Sequence, residues 1–150
     1  MARYSLGWQK TSITATGPIA DIGASSTDRW RLLECGLFVS AMTGTTPVLT
    51  VGLSRSTALG TRTSPVTVLA EDNADTAGTN SVATAWSVNP TLAANPFRRF
   101  VLNAVGAGVI WTWPGNGFMG ATSLTAVLSA LAITGTTPNF TLDGYFVIDE

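Results

Sequence analysis

Histidine is absent from the chain, which removes the commonest general base, the commonest metal ligand and every histidine-dependent catalytic triad. Cys35 is the single cysteine. It shares the apolar face of an alternating run with Leu33, Leu37 and Val39, with no base beside it, so it reads as a small buried hydrophobe and not as a nucleophile. Being alone, it forms no intrachain disulfide. Glycoside hydrolysis needs only two carboxylates. Glu34 is the one acid inside an expected strand, and no second acid is set at a marked spacing from it. Glu71, Asp72, Asn73 and Asp75 could offer oxygens to Ca²⁺, but nothing in their order fixes a coordination geometry, and a solvated acidic loop is expected. No glycine-rich loop precedes a helix that could hold a phosphate. The expectation is therefore no catalytic residue, no metal and no cofactor.

Partners are bounded in the same way. The net charge is −1 and Arg98-Arg99 is the only basic pair, so the clustered Lys and Arg of a nucleic-acid footprint are missing. No apolar run approaches the roughly 18 residues that would span a bilayer, and MARYSLGWQK lacks the apolar centre of a signal peptide. A soluble protein made in the cytosol, with no membrane partner, is expected. Charged residues are 11% of the chain against about 25% in an ordinary soluble domain. Either part of the surface is hidden against other subunits or hydroxyls do the solvating.

The elements that must position these side chains are strands. Residues 97–118, FRRFVLNAVGAGVIWTWPGNGF, read as two paired strands joined at Gly106-Ala107-Gly108 and closed by Pro114-Gly115-Asn116-Gly117. Phe100, Leu102 and Ala104 share one face of the first strand. The second is apolar on both faces, with Val109, Trp111 and Trp113 on one and Ile110 on the other, and so is expected at the centre of a sheet. Trp111 and Trp113 then belong to core or subunit interface and not to a sugar platform.

Residues 28–42 alternate, and after Thr43-Gly44-Thr45-Thr46-Pro47 the alternation resumes at Leu49, Val51 and Leu53. The same signature returns at Thr134-Gly135-Thr136-Thr137-Pro138, where Leu33 aligns with Leu124, Leu37 with Leu128, Leu49 with Phe140 and Val51 with Leu142. These read as two copies of one hairpin sharing one core, with Leu33, Leu37, Leu49 and Val51 from the first and Leu128, Phe140, Leu142 and Phe146 from the second. The repeat also decides that residues 124–133, which have helical spacing, form a strand. Residues 1–16 are weakly patterned, an N-terminal arm or edge strand carrying Tyr4, Leu6 and Trp8 on one face. Residues 17–150 make one domain of eight to ten strands, an all-β sandwich of two antiparallel sheets without a long helix.

GAGVIWTWPGNGF, the preceding RRFVLNA, the TGTTP turn with alternating apolar residues after it, and the closing DGYFVIDE resemble structural proteins of tailed bacteriophages. The resemblance is greatest to the jelly-roll decoration, or cement, proteins that sit as trimers on capsids. It covers the last third of the chain and, more loosely, residues 31–53. It implies a homotrimer made in the bacterial host cytoplasm that binds the major capsid protein on the outside of the head and stabilises it. A tail or fibre module binding a host glycan is the alternative. On this reading Tyr4, Leu6 and Trp8 are candidates for contact with the shell, and Trp111 and Trp113 for the subunit interface.

Overall fold

The computed structural model describes residues 2–13, 17–23, 30–43, 48–58, 60–115, 117–119, 128–130 and 139–150. The first half of the chain forms β1 (Arg3–Ile13), β2 (Ala20–Gly23), β3 (Arg31–Thr43), β4 (Leu49–Ala58), β5 (Thr61–Arg62), β6 (Val66–Thr67) and β7 (Leu69–Ala70). The second half forms β8 (Ser81–Ala83), β9 (Trp86–Val88), β10 (Thr91–Leu92), β11 (Arg98–Leu102), β12 (Gly108–Thr112), β13 (Phe118–Met119), β14 (Leu128–Ala130) and β15 (Asn139–Asp149). Among the described residues every paired strand is antiparallel and no helix occurs, so the all-β class is as expected. No helix there is long and apolar enough to cross a membrane.

One sheet runs β12-β3-β15-β1-β7, with β13 also on β3; the other runs β10-β4-β14-β2-β8-β6, with β11 also on β4. Leu53 pairs with Arg98 of β11 and with Ala130 of β14, so these two strands flank β4 on opposite sides. The chain passes from the first sheet to the second between β1 and β2, β3 and β4, and β13 and β14, and returns between β2 and β3, β11 and β12, and β14 and β15; the short β7 makes a further visit to the first sheet between β6 and β8. Four long runs are thereby shared, in the same order, by both sheets: β12-β3-β15-β1 in one and β11-β4-β14-β2 in the other.

The core lies between the sheets. Leu32, Cys35, Leu37 and Val39 of β3 meet Leu49, Val51 and Leu53 of β4 and Phe140, Leu142, Phe146 and Ile148 of β15, all essentially sealed from solvent, with Trp30 among them. Of the residues expected there, Leu37, Leu49, Val51, Phe140, Leu142 and Phe146 are in place. Leu33 is not. Pairing with β15 slips between Val147 opposite Glu34 and Ile148 opposite Leu32, so Leu33 occupies a β-bulge and the inward face passes to Leu32. Leu128 pairs Ile22 and Arg55 as part of β14; the side chains of β14, and residues 124–127 and 131–133, lie outside what is described. Thr50 and Ser54, on the outward face of β4, are buried because residues 92–96 lie over the outside of β4 around a groove of about 160 Å³.

Three expectations about connection are corrected. The two TGTTP segments do not close hairpins, since β3 and β4 lie in different sheets and so do β14 and β15. The repeat is nevertheless organised: its copies pair with each other, β3 on β15 and β4 on β14. Second, β11 and β12 do not pair. The turn at Gly106, with φ +81°, lifts the chain off β4 and sets it beside β3, where Val39 N–H donates to Ala107 C=O and Gly106 N–H donates to Val39 C=O. Third, β12 is an edge strand and not a central one, and β11 is an edge strand as well.

Candidate functional site

Within the segment expected as an arm or edge strand, the described residues 3–13 form β1 and no free arm. β1 pairs β15 from Arg3 to Lys10 and again at Ile13, and pairs β7 only at Tyr4 and Ser5. Tyr4 is in the core and its hydroxyl donates to Thr76 C=O at 3.1 Å, while Leu6 and Trp8 pack against the core from the same face. Trp8 lies 6.0 Å from the Phe146 ring. The three side chains proposed for shell contact therefore serve the sandwich. Trp111, opposite Cys35, and Trp113 also pack against the core, half-buried at the rim of the sandwich, where Arg98 sits 6.0 Å over the Trp113 ring.

The acidic loop is held by the chain's own groups. Glu150 accepts from Thr79 N–H at 2.7 Å, from Thr79 Oγ1 at 2.8 Å and from Asn80 Nδ2, and Asp72 Oδ1 accepts from Ala74 N–H at 2.9 Å. Among the described residues no three Asp, Glu, Cys or His side chains converge as metal ligands would. Glu34 accepts a 2.5 Å hydrogen bond from the Tyr145 hydroxyl, and burial together with this bond pushes the phenol up to about 12.

Burial, reinforced by the Glu34 charge, pushes the Cys35 thiol up to about 12. Its thiolate fraction at neutral pH is negligible. A disulfide-exchange reagent at pH 8 should leave the native protein unlabelled for hours and release one equivalent of thiolate product once denaturant is added; rapid native labelling would contradict the buried setting.

A cluster that the sequence did not reveal lies outside the second sheet. On β2, Ile22 enters the core and Asp21, 1% exposed, points the other way. The small β5-β9 pair carries its partners: Arg62 Nη2 is 2.7 Å from Asp21 Oδ1, and Trp86 Nε1 donates to Oδ2 at 3.0 Å. The Arg62 contact is one of charge, because Oδ1 and Nη2 are close but not aligned as a hydrogen bond. Arg62 Nη1 also donates to Ser81 Oγ at 2.9 Å. Lys10 donates to Thr84 C=O and stands 5.0 Å over the Trp86 ring. Burial raises the Asp21 carboxyl against the pull of Arg62 and Trp86, and burial lowers Lys10. With one carboxylate already bound on both oxygens, the cluster fastens β5 and β9 to the sheet; nothing in it is arranged for acid-base work.

What stands open is an edge. Of nine exposed large hydrophobic residues among those described, Val48, Phe97, Phe100, Val101, Val105 and Ile110 follow the start of β4, β11, the turn and β12. Edge strands are ordinarily blunted by charge, yet no charged residue occurs from Phe100 to Leu142. That uncharged run was the signal available in the sequence. No family model, curated protein or solved structure matches the chain.

Proposed function

We propose that this chain is a structural subunit that self-associates as a homotrimer through the β11-β12 edge, and that it decorates the outside of a phage head by binding the major capsid protein. The observation that carries the reading is the apolar edge from Phe100 to Ile110, which is uncharged beyond the exposed Arg98 and Arg99 that open β11. Phe100, Val101 and Ile110 are 44%, 51% and 51% exposed on strands whose outer main-chain groups have no neighbour in their sheets among the described residues. Apolar surface of this kind is favourable to bury at about 25 cal/mol per Å². A closed ring satisfies the patch on every copy. The strand order supports the rest: four long runs, each shared by two facing sheets, are what a jelly roll of two Greek keys produces.

In this role the protein acts by linkage. A ligand that binds the assembled lattice but not its free subunits stabilises the lattice by RT ln(1 + [L]/Kd), about 2.7 kcal/mol per site at a hundredfold excess over Kd. Three equivalent contacts on one trimer add avidity. With a net charge of −1, binding should change little between low and moderate salt.

Light scattering at micromolar concentration should give the mass of a trimer, and Phe100→Lys with Val101→Glu should give a folded monomer. A monomeric wild type would refute self-association, and a dimer would remove the three-fold arrangement. The trimer should co-sediment with pre-formed expanded shells of its cognate phage and raise their melting temperature. Failure of intact trimer to do either would remove the decoration role.

A further inference from the structure

The outward face of the first sheet is laid out by register. Across β1, β15, β3 and β12 one row reads Gly7, Tyr145, Gly36, Ile110; its neighbours read Gln9, Asp143, Phe38, Gly108 and Ser5, Val147, Glu34, Thr112. Directly opposed residues share a face, so each of the two large rings has a glycine beside it and lies down on it. A Cβ on Gly36 would fall 2.1 Å from Tyr145 Cε1, and one on Gly108 would fall 2.2 Å from Phe38 Cδ1. The rings are 21° from parallel with centroids 6.5 Å apart, and both are half-buried, one face on glycine and the other toward solvent. On the β1 side Gly7 leaves the row empty: the nearest atom to a Cβ there is Gly144 O, at 3.9 Å. Polar groups stand around the rings. The Asp143 carboxylate is held by Gln9 Nε2 at 2.7 Å and that of Glu34 by the Tyr145 hydroxyl at 2.5 Å.

We propose that this face is a carbohydrate-binding platform for a neutral glycan, with the Tyr145 and Phe38 rings stacking on successive pyranose residues and Asp143, Gln9 and Glu34 bonding their hydroxyls. A pyranose has one flat face of C–H groups and a rim of hydroxyls. The first meets the exposed ring faces, which carry the negative side of the aromatic quadrupole, and the second meets acceptors already oriented by internal bonds. An organic cation is the poorer fit, because a cage encloses its ligand between steeply angled rings, whereas these lie side by side against the sheet. A protein partner is the poorer fit in size. Two rings and one empty glycine position match two sugar residues, far short of the roughly 800 Å² that each partner gives up in a stable protein interface. The site lies on the outward sheet face and borders the edge proposed for self-association, since Gly108 of β12 carries the Phe38 ring and Ile110 of β12 stands beside Gly36; it does not depend on the decoration role.

The test is calorimetric titration of the intact protein with three probes, the hexaoses of β-1,4-linked glucose, β-1,4-linked N-acetylglucosamine and α-1,6-linked mannose, with choline chloride as the cationic comparison. At least one hexaose should bind with Kd below about 1 mM. Tyr145→Leu keeps an apolar cover over Gly36 but removes the ring, and Gly7→Gln fills the empty position where a Cβ meets nothing closer than 3.9 Å. Each should weaken binding about tenfold or more, as loss of a stacking anchor does. If Tyr145→Leu melts early, Gly7→Gln decides alone. No heat with any hexaose, binding of choline only, or affinity unchanged in Gly7→Gln would overturn the platform.

Discussion

Deleting residues 2–10 should abolish folding. The segment supplies β1 from Arg3 to Lys10, which pairs β15 residue for residue, and its loss would leave a strand of the first sheet without its neighbour. It also removes the fully buried Tyr4 and the half-buried Leu6 and Trp8 from the core, uncovering Phe146. Burial contributes about 1.5–3 kcal/mol for each large apolar side chain, so the loss is on the order of 5 kcal/mol before any hydrogen bond is counted. That is comparable with the 5–15 kcal/mol that holds a whole domain together. The shortened protein should be insoluble, or should lack a cooperative melt followed by far-ultraviolet circular dichroism. A folded trimer that merely fails to co-sediment with shells would show the opposite, that β1 is dispensable to the sandwich and serves as a foot.

How β1 escaped a firmer reading shows what sequence pattern can carry. β15 alternates without a break, and its inward residues Phe140, Leu142, Phe146 and Ile148 were legible because a period of two survives unless a bulge interrupts it. β3 is interrupted twice in its pairing with β15, near Leu33 and again near Ser40, so its alternation changes face and a strict period of two puts Leu33 in the core where Leu32 lies. β1 carries Gly7 and Lys10, which weaken the pattern, although its partner β15 alternates without a break. Turn chemistry told where strands end but not which strand comes next to which. Gly106-Ala107-Gly108 and TGTTP suit a crossover between sheets as well as a hairpin, since both need only a reversal of direction. The Asp21, Arg62 and Trp86 cluster and the Tyr145 ring over Gly36 join residues far apart in the chain and follow no spacing; only the register brings them together. The apolar edge was half legible. The uncharged stretch after Arg99 marked the region, but Trp111 and Trp113 turn toward the core while Phe100, Val101 and Ile110 are left outside.

The Asp21 and Arg62 pair should give the largest loss for any single polar substitution, and a far smaller one when both partners are changed. Asp21→Ala leaves the Arg62 guanidinium, whose side chain is 12% exposed, without its counter-charge, and it strands the Trp86 Nε1–H as well. Breaking a buried pair in this way costs about 3–5 kcal/mol. Asp21→Leu with Arg62→Met removes both charges and restores apolar contact, so it should lie within about 1 kcal/mol of wild type or above it. Chemical denaturation of the single and double variants measures the coupling, and additive losses would mean that the pair is not a unit. The pH dependence tests the balance of forces inside it. Burial raises the Asp21 carboxyl above its ordinary 3.8, more than the attraction of Arg62 and the Trp86 bond lower it. The folded state thus holds the proton more tightly than the unfolded chain. The stability that this group contributes is complete below about 3.8 and falls as pH rises through the folded value. Relative to Asp21→Asn, which cannot titrate, wild type should lose stability steadily from about pH 4 upward until the carboxyl is ionised in both states. A gain over the same interval would mean that the charge of Arg62 outweighs desolvation, and that the pair stabilises the fold instead of specifying where β5 and β9 must dock.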